Sequence, residues 1–262
     1  MNFQKNILKG FLEEFGIDGL FELIKVSDDT HSIVRAIEDT KYIENIFDSI
    51  PSCLSSDNYK LFNFAQLLLY HTYNVNQPLV LSYIANHTFD DITKSKIFAS
   101  LPYGKNVKLF LDQSSVAIRE NYWANFPIML VDYNSEYIEE IASGLFLAGR
   151  IKDLIKILSL SSKTFKLKFL CEVLDKARKN KHYEIVESSY YEFITIFKKI
   201  YSHPDIGKAD KNLMVGLEIA YLGLFNGYND IEPLFLTNNI FSNPQFLSLI
   251  HISEPTRHLR IS

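Results

Sequence analysis

Two pairs of adjacent carboxylates are the first candidates for chemistry in this sequence. Glu13–Glu14 and Glu139–Glu140 have the residue type that general acid–base catalysis uses. On a helix, however, adjacent side chains point about 100° apart, so the two members of a pair do not face one site. We interpret both pairs as solvated surface residues.

A metal site could gather around His182, Glu184 and Glu187. The order of these residues departs from the HExxH arrangement, in which two histidines one helical turn apart bind the ion. All three fall where a helix is expected to begin, which favours a surface position. We therefore predict no metal at this segment.

Gly104-Lys105 resembles the end of a phosphate-binding loop. That loop needs an earlier glycine at the position of Ala99, and Asn106 stands where a Ser or Thr would hold magnesium. Both departures remove the groups that would contact phosphate and metal. The sequence predicts no nucleotide and no other cofactor.

One cysteine and one tryptophan could act as a nucleophile or a stacking surface. Cys171 lies inside an apolar helical stripe over 167–174, which is typical of a core residue. Trp123, next to Tyr122, lies among apolar residues at helical spacing and is also expected to pack in the core. Because no chemical motif is complete, we predict that the chain is not an enzyme.

Positive charge is concentrated in one segment, residues 163–181. This segment has a local excess of five positive charges, whereas the whole chain has a formal net charge of −4. Such a basic stripe could bind an acidic protein or a nucleic-acid backbone, or it could be a solvated helix face with favourable cations at the helix end. We predict a protein partner and not nucleic acid. The stripe consists of Lys163, Lys166, Lys168, Lys176, Arg178, Lys179 and Lys181.

Helices must position all of these residues, because apolar side chains recur at three- and four-residue steps along the chain. Strict two-residue alternation is scarce, so the fold class is all-α. Cap residues at 27–30, 55–57 and Thr88 mark three helix starts, and Pro51 is expected to end a helix. The predicted helices cover about 3–15, 20–24, 33–37, 42–50, 61–69, 79–85, 88–101, 107–111, 118–124, 135–148, 151–158, 163–179, 186–202, 209–225 and 232–240.

An internal echo indicates how the helices are arranged. Residues 141–158 and 219–236 align without a gap, with Gly149 opposite Gly227, and 7–24 is a fainter copy around Gly16. Glycine suits the left-handed turn that ends one helix and lets the next fold back. We predict antiparallel helix pairs stacked as an irregular solenoid, in a single region over 1–246.

The segment GLFLAGRIKDLIKIL resembles the helix-turn-helix unit of tetratricopeptide and HEAT-type repeats. Three further stretches, KIFASLPYGKNVKLFLDQSSVAIRENYWANFP, YIEEIASGLFLAGR and LEIAYLGLFNGYNDIEPLFLTNNIFSNPQFL, resemble helical-repeat regions of large uncharacterised bacterial proteins. The resemblance covers most of 1–246 and rests on the turn at 101–104, on Tyr122-Trp123 and on 243–246. The tetratricopeptide period of about 34 residues is absent. The resemblance implies a fold and no activity.

The last residues differ in composition from the rest. LSLIHISEPTR (247–257) resembles the conceptual translation of a sequencing-library adapter. We therefore expect 247–262 to be an artefactual tail and 1–246 to be part of a longer protein.

Composition indicates a compartment and a role. Two cysteines without CxxC spacing favour a reducing compartment, and no run of about 18 apolar residues occurs, so we expect a cytoplasmic protein without a membrane partner. The predicted function is a non-catalytic helical-repeat scaffold or protein-interaction segment of a larger bacterial protein. The alternative is a regulatory or sensor arm of a multidomain enzyme, such as an NTPase, whose catalytic domain lies elsewhere.

Overall fold

Helices formed by the apolar spacing make up the ordered structure of this protein. The computed structural model describes residues 2–37, 42–179, 190–225 and 231–242, and no strand occurs in these ranges. The all-α prediction is confirmed. The chain divides into two compact units, 1–137 and 138–262. The predicted tail, 247–262, lies outside the described ranges.

The first unit is built from short helices that pack on neighbours close in sequence. The longest uninterrupted one, α5, packs against α1, α2, α4 and α6, while α7 packs against α4 and α9. Its helices are α1 (Asn2–Val26), α2 (Thr30–Ile37), α3 (Ile43–Phe47), α4 (Ile50–Leu54), α5 (Tyr59–Val75), α6 (Gln77–Asn86), α7 (Asp91–Ala99), α8 (Lys105–Gln113) and α9 (Val116–Asn125), followed by a 3-10 turn at Ile128–Leu130.

The second unit repeats this kind of packing. Helix α11 packs against α10, α12 and α13, helix α12 also packs against α13 and α14, and α14 packs against α15. Its helices are α10 (Ile138–Leu147), α11 (Ile151–Leu160), α12 (Leu167–Lys179), α13 (Tyr190–Tyr201), α14 (Lys211–Ala220) and α15 (Leu234–Ser242), with 3-10 turns at Ile206–Lys208 and Leu222–Leu224.

The predicted cap at 27–30 is confirmed, because Asp29 accepts from the Ser32 backbone N–H at 3.0 Å at the start of α2. The other two predicted helix starts are displaced by one or two residues. The side chain of Asn58 caps α5 by accepting from the Lys60 backbone N–H at 2.9 Å, directly after the expected cap at 55–57. Asp90, and not Thr88, caps α7 by accepting from the Thr93 backbone N–H at 2.9 Å. Each side chain satisfies an N–H that the first helical turn leaves without a partner.

Pro51 begins a helix, so the prediction that it ends one was wrong. Helix α3 already stops at Phe47, and Pro51 occupies the first turn of α4. Proline is tolerated there because the first backbone N–H groups of a helix have no intrahelical acceptor, and its fixed φ suits the helix.

Two glycines from the internal echo do adopt the left-handed conformation. Gly16 has φ +64° and interrupts α1, and Gly149 has φ +74° between α10 and α11. A side chain with a Cβ would be strained at either position. The third predicted turn glycine, Gly227, lies outside the described ranges.

The second copy of the echo differs from the first. Helix α14 ends at Ala220, whereas the aligned Ala142 lies in the middle of α10. The residue after Ala220 is Tyr221, which is buried and whose hydroxyl donates to the Leu174 carbonyl at 2.9 Å. The aligned Ser143 is exposed.

Lysines from later helices cap the carboxyl ends of earlier ones. Lys60 Nζ donates to the Val26 carbonyl at 3.3 Å, and Lys96 Nζ donates to that of Leu54 at 2.9 Å. In the second unit, Lys199 Nζ donates to three carbonyls at the carboxyl end of α11. The distances are 2.5 Å to Leu158, 3.1 Å to Ser159 and 2.5 Å to Ser161, the residue that follows the helix. These contacts supply a donor to carbonyls at helix ends, which have no intrahelical N–H donor.

A buried carboxylate performs the opposite task at the start of α15. Glu218 has no exposed surface, and its two oxygens accept from the backbone N–H groups of Phe235 at 3.0 Å and Leu236 at 2.5 Å. It also accepts from the Tyr201 hydroxyl at 2.5 Å. Burial and this hydrogen bond raise the pKa of Tyr201. A negative charge at a helix amino terminus is favourable, so Glu218 links α13, α14 and α15.

A histidine pair connects α2 and α5. The rings of His31 and His71 lie 4.7 Å apart, and Arg35 projects from the same helix as His31. Burial lowers the pKa of His71, and the positive charges of His31 and Arg35 lower it further. The folded protein therefore binds a proton at His71 less readily than the unfolded chain.

The lysine cap on α11 predicts a loss of stability in one variant. Lys199→Met keeps most of the aliphatic stem but leaves three carbonyls without their donor, so we expect the free energy of unfolding to fall by about 1–3 kcal/mol. The neighbouring Lys198 is exposed, and Lys198→Met should change it by less than about 0.5 kcal/mol. Urea unfolding followed by circular dichroism measures both. Equal effects in the two variants would contradict the cap.

The histidine pair predicts a pH dependence. In the unfolded chain, His71 binds a proton at about pH 6.5, whereas in the folded protein it does so only at lower pH. Below about pH 6.5 the unfolded state therefore binds more protons than the folded state. Stability should therefore fall as the pH decreases from about 7 toward 5. We expect His71→Gln to flatten the slope and His31→Gln to keep most of it, because burial is the main cause. Urea unfolding at several pH values decides, and an unchanged slope in His71→Gln argues against the histidine as its source.

Candidate interaction surfaces

The described residues of the predicted basic stripe lie along α12 and in the connection before it, and they form two groups with different contacts. Lys163 and Lys166 lie in the connection that precedes α12, and Lys176, Arg178 and Lys179 lie in its last turns. Lys181 lies outside the described ranges. The two groups are separated by the length of a helix, roughly 13 to 20 Å for the residues involved.

The second group is engaged in contacts within its unit. Lys176 Nζ donates to the Phe146 carbonyl at 2.8 Å, at the end of α10, and lies 4.3 Å from the centre of the Phe146 ring. Arg178 and Lys179 both bind Asp175, with 2.5 Å between Lys179 Nζ and the carboxylate. Burial would raise the pKa of Asp175, but these hydrogen bonds outweigh it and the pKa is lowered. These cations stabilise helix ends, as positive charge does at a carboxyl terminus.

The first group is open to solvent. Lys163 and Lys166 are exposed, and neither forms an ion pair within the part of the chain that the structure describes. Lys168 has a side chain that is 88% exposed, with its Nζ 3.8 Å from a Glu172 carboxylate oxygen. A surface pair at this distance neutralises little charge.

A groove of about 570 Å³ lies beside these lysines, and we call it the lysine groove. Its wall is held by His203, whose Nε2 lies 3.1 Å from the Phe165 carbonyl and whose Nδ1 accepts from the Asp205 backbone N–H at 3.0 Å. Lys208, on the far side, binds Asp205 at 2.6 Å, which lowers the pKa of that carboxyl group. The lining residues are Thr164, Phe165, Lys166, Leu167, Lys168, His203, Pro204, Asp205 and Lys208.

The residues considered for catalysis and metal binding lie in different parts of the chain, and only some of them fall within the described ranges. Glu13, Glu14 and Glu139 are exposed, as expected for solvated carboxylates. Across the described ranges, no group of three or more His, Cys, Asp or Glu side chains could hold a metal ion. The segment with His182, Glu184 and Glu187 lies outside those ranges.

Cys171 and the glycine before α8 have structural positions. Cys171 is buried, its Sγ lies 3.6 Å from the Met214 sulfur, and burial raises the pKa of the thiol to about 11. The protonated thiol is a poor nucleophile. Gly104 directly precedes Lys105, the first residue of α8, and has an extended backbone conformation.

Tyr122 and Trp123 form part of an aromatic cluster in the first unit. Tyr122 is fully buried, and burial raises its pKa well above the usual value. The ring of Trp123 stacks on Tyr103 with centroids 5.6 Å apart and meets Phe126 edge-on at 5.4 Å. Tyr103 belongs to the predicted turn at 101–104, so this turn is anchored by aromatic packing.

The sequence reading missed a groove between α6, α7 and α8, which we call the aromatic groove. It encloses about 540 Å³. Phe98 and Phe110 stack at its base with centroids 3.8 Å apart and planes 5° from parallel, and Lys94 Nζ lies 5.8 Å from the Phe110 ring centre. It is lined by Leu81, Ile84, Ala85, His87, Thr88, Phe89, Lys94, Phe98, Asn106, Leu109, Phe110 and Gln113.

A signal for this groove was present in the sequence. Residues 106, 109, 110 and 113 share one face of α8, and that face includes Leu109, a large apolar side chain that remains 54% exposed. A helical stripe normally predicts burial, so the sequence alone could not indicate that this part of the stripe stays open.

A second apolar groove, of about 290 Å³, lies between α1 and α2. Ile7 on its rim is 58% exposed, and Leu23 and Ile33 contribute to its walls. Among the residues that the structure describes, its lining includes no charged side chain and Ser32 is its only polar side chain. It is therefore more apolar than the aromatic groove, whose lining includes Lys94 and several neutral polar side chains.

The chain was compared with protein-family models, with curated proteins and with solved structures. No helix in the described ranges is long and apolar enough to cross a membrane. None of the three comparisons found a match, so the contacts described above are the basis for assigning a role.

Proposed function

We propose that this chain is a non-catalytic helical-repeat segment that binds a protein partner. The observation that carries the proposal is the aromatic groove, an open surface on which Leu109 and the Phe98–Phe110 stack meet solvent beside Lys94. Exposed apolar surface rimmed by polar groups is typical of protein interaction sites.

The order of helix contacts in the second unit supports a repeat arrangement. In the second unit, helices pack mainly on the next helix and the one after it, as in α11 with α12 and α13. Stacked helix pairs produce contacts of this kind, because each repeat touches only its neighbours. The lysine caps act over similarly short separations along the chain, as from Lys199 to Leu158 and from Lys96 to Leu54.

Two buried thiols support the cytoplasmic location that we propose with this function. Cys53 and Cys171 are both free, and burial raises the pKa of each. Free cysteines are typical of reducing compartments.

A display selection tests the groove as the interaction site. Random helical peptides displayed on yeast are sorted for binding to the chain, and selected clones are then measured with two variants. Leu109→Asp places a charge in the groove, and we expect it to weaken binding by at least about tenfold, or about 1.4 kcal/mol. Val116→Asp is the matched control, since Val116 is 59% exposed but does not line the groove. Clones equally sensitive to both substitutions, or to neither, would refute the groove as the site.

The divided basic stripe leads us to propose a protein partner and not nucleic acid. Lys176, Arg178 and Lys179 are already engaged, so they offer little charge to a phosphate backbone. We expect no saturable binding of a short single-stranded DNA at low salt in a fluorescence anisotropy titration. Binding that weakens steeply with salt and is lost in a Lys163→Glu/Lys166→Glu double variant would show that the free lysines contact phosphates.

A further inference from the structure

We infer that the aromatic groove binds an acidic amphipathic helix of the partner. This inference rests on the proposed function and adds the chemistry of the segment that is bound. Three features of the groove support it: the helical spacing of its walls, the rigid aromatic base, and a single unpaired lysine.

The walls of the groove have the length and shape that a helix fits. On α6 the lining residues Leu81, Ile84 and Ala85 are spaced by three and four, and on α8 the lining extends from Asn106 to Gln113. Seven residues of helix rise about 10 Å, so the groove is open along about two turns. An amphipathic helix places side chains at positions i, i+3, i+4 and i+7 over the same length.

We favour a bound helix over a bound extended peptide because an extended peptide usually pairs with the edge of a sheet. No strand occurs in the ranges that the structure describes, so these ranges offer no sheet edge for an added strand. The walls of the groove are themselves helices, and α5 shows in the same unit how one helix packs among several neighbours. An inserted helix would complete a layer of the same kind.

The base of the groove supplies the apolar contact. Phe98 is only 8% exposed, and its stacking against Phe110 holds both rings in place. Leu109, with 54% exposure, loses water-accessible apolar area when a helix covers it. Rigid aromatic surfaces with adjoining aliphatic groups are common centres of binding energy.

The charge of the groove determines which sign of charge the bound helix should carry. Lys94 is the lining residue with a permanent charge, and it forms no ion pair within the described ranges. His87, also in the lining, has its Nε2 3.8 Å from an Asp48 carboxylate oxygen. No carboxylate lines the groove among the residues that the structure describes. A Glu or Asp on the flank of a bound helix would meet Lys94, whereas a basic helix would bring like charges together in a partly buried place.

The groove between α1 and α2 serves as an internal comparison. It is open and more apolar than the aromatic groove, and the lining residues that the structure describes include no charged group to select a partner. Charge selectivity is therefore expected at the aromatic groove and not at this second one.

Two designed helical peptides test the inference in a fluorescence anisotropy titration with the full chain. Both have leucines at i, i+3, i+4 and i+7; one has Glu on its flanks and the other has Lys at the same positions. We expect the Glu peptide to bind at least about tenfold more tightly. Lys94→Glu should reverse this preference, and Lys94→Met should remove it while keeping the apolar contact. Lys156→Glu, on an exposed position of α11, is the control for a change in total charge.

The outcomes separate the inference from the proposed function. Equal affinity for the two peptides, or a preference that Lys94→Glu leaves unchanged, overturns the inference of an acidic partner. The same conclusion follows if neither peptide binds and the clones from the display selection that depend on Leu109 have neutral or basic sequences. In both cases the Leu109-dependent clones still support the aromatic groove as the interaction site. Absence of any Leu109-dependent binder overturns both. Circular dichroism and urea unfolding of each variant confirm that a lost interaction is not a lost fold.

Discussion

The ends of short helices impose the constraint on which the rest of this structure depends. Every helix leaves carbonyls without partners at its carboxyl end and N–H groups without partners at its amino end, and a chain of short helices has many such ends. Lys60, Lys96, Lys176 and Lys199 donate to carbonyls at the ends of helices that lie two to four helices earlier in the chain. Glu218 satisfies N–H groups at the start of α15 in the same way. Side-chain caps therefore join helices that hydrophobic packing has brought together.

The same constraint changes how positive charge along the sequence should be interpreted. A run of basic residues over 163–181 contains two kinds of cation, and only their neighbours in the fold distinguish them. Lys176 is committed to the end of α10 and Arg178 to Asp175 and the Gly216 carbonyl. Lys163 and Lys166 retain their charge for solvent or a partner. Net charge of a segment is thus an upper limit on the charge that a partner can meet.

The aromatic groove follows from the connections between short helices. The residues 87–90 and 100–104 turn the chain between α6, α7 and α8, and these turns place the three helices so that their facing sides do not close. Phe98 and Phe110 stack across this space, and Lys94 extends over the Phe110 ring. Leu109, on the same face of α8 as Phe110, remains 54% exposed.

Local patterns in the sequence determined the fold class, the positions of most helices and the two left-handed glycines, Gly16 and Gly149, because helical periodicity and turn conformation depend on residues within a few positions of one another. The helix starts predicted from the same patterns differ from the observed starts at Asn58 and Asp90, because several neighbouring polar residues can cap a helix. Other features join residues far apart in the chain: the Phe98–Phe110 stack, the Tyr221 hydroxyl on Leu174 and the lysine caps. Neither spacing nor residue type specifies which distant partner a side chain meets, since that depends on how whole helices pack. The tertiary structure alone decided which lysines are engaged and which apolar face remains open.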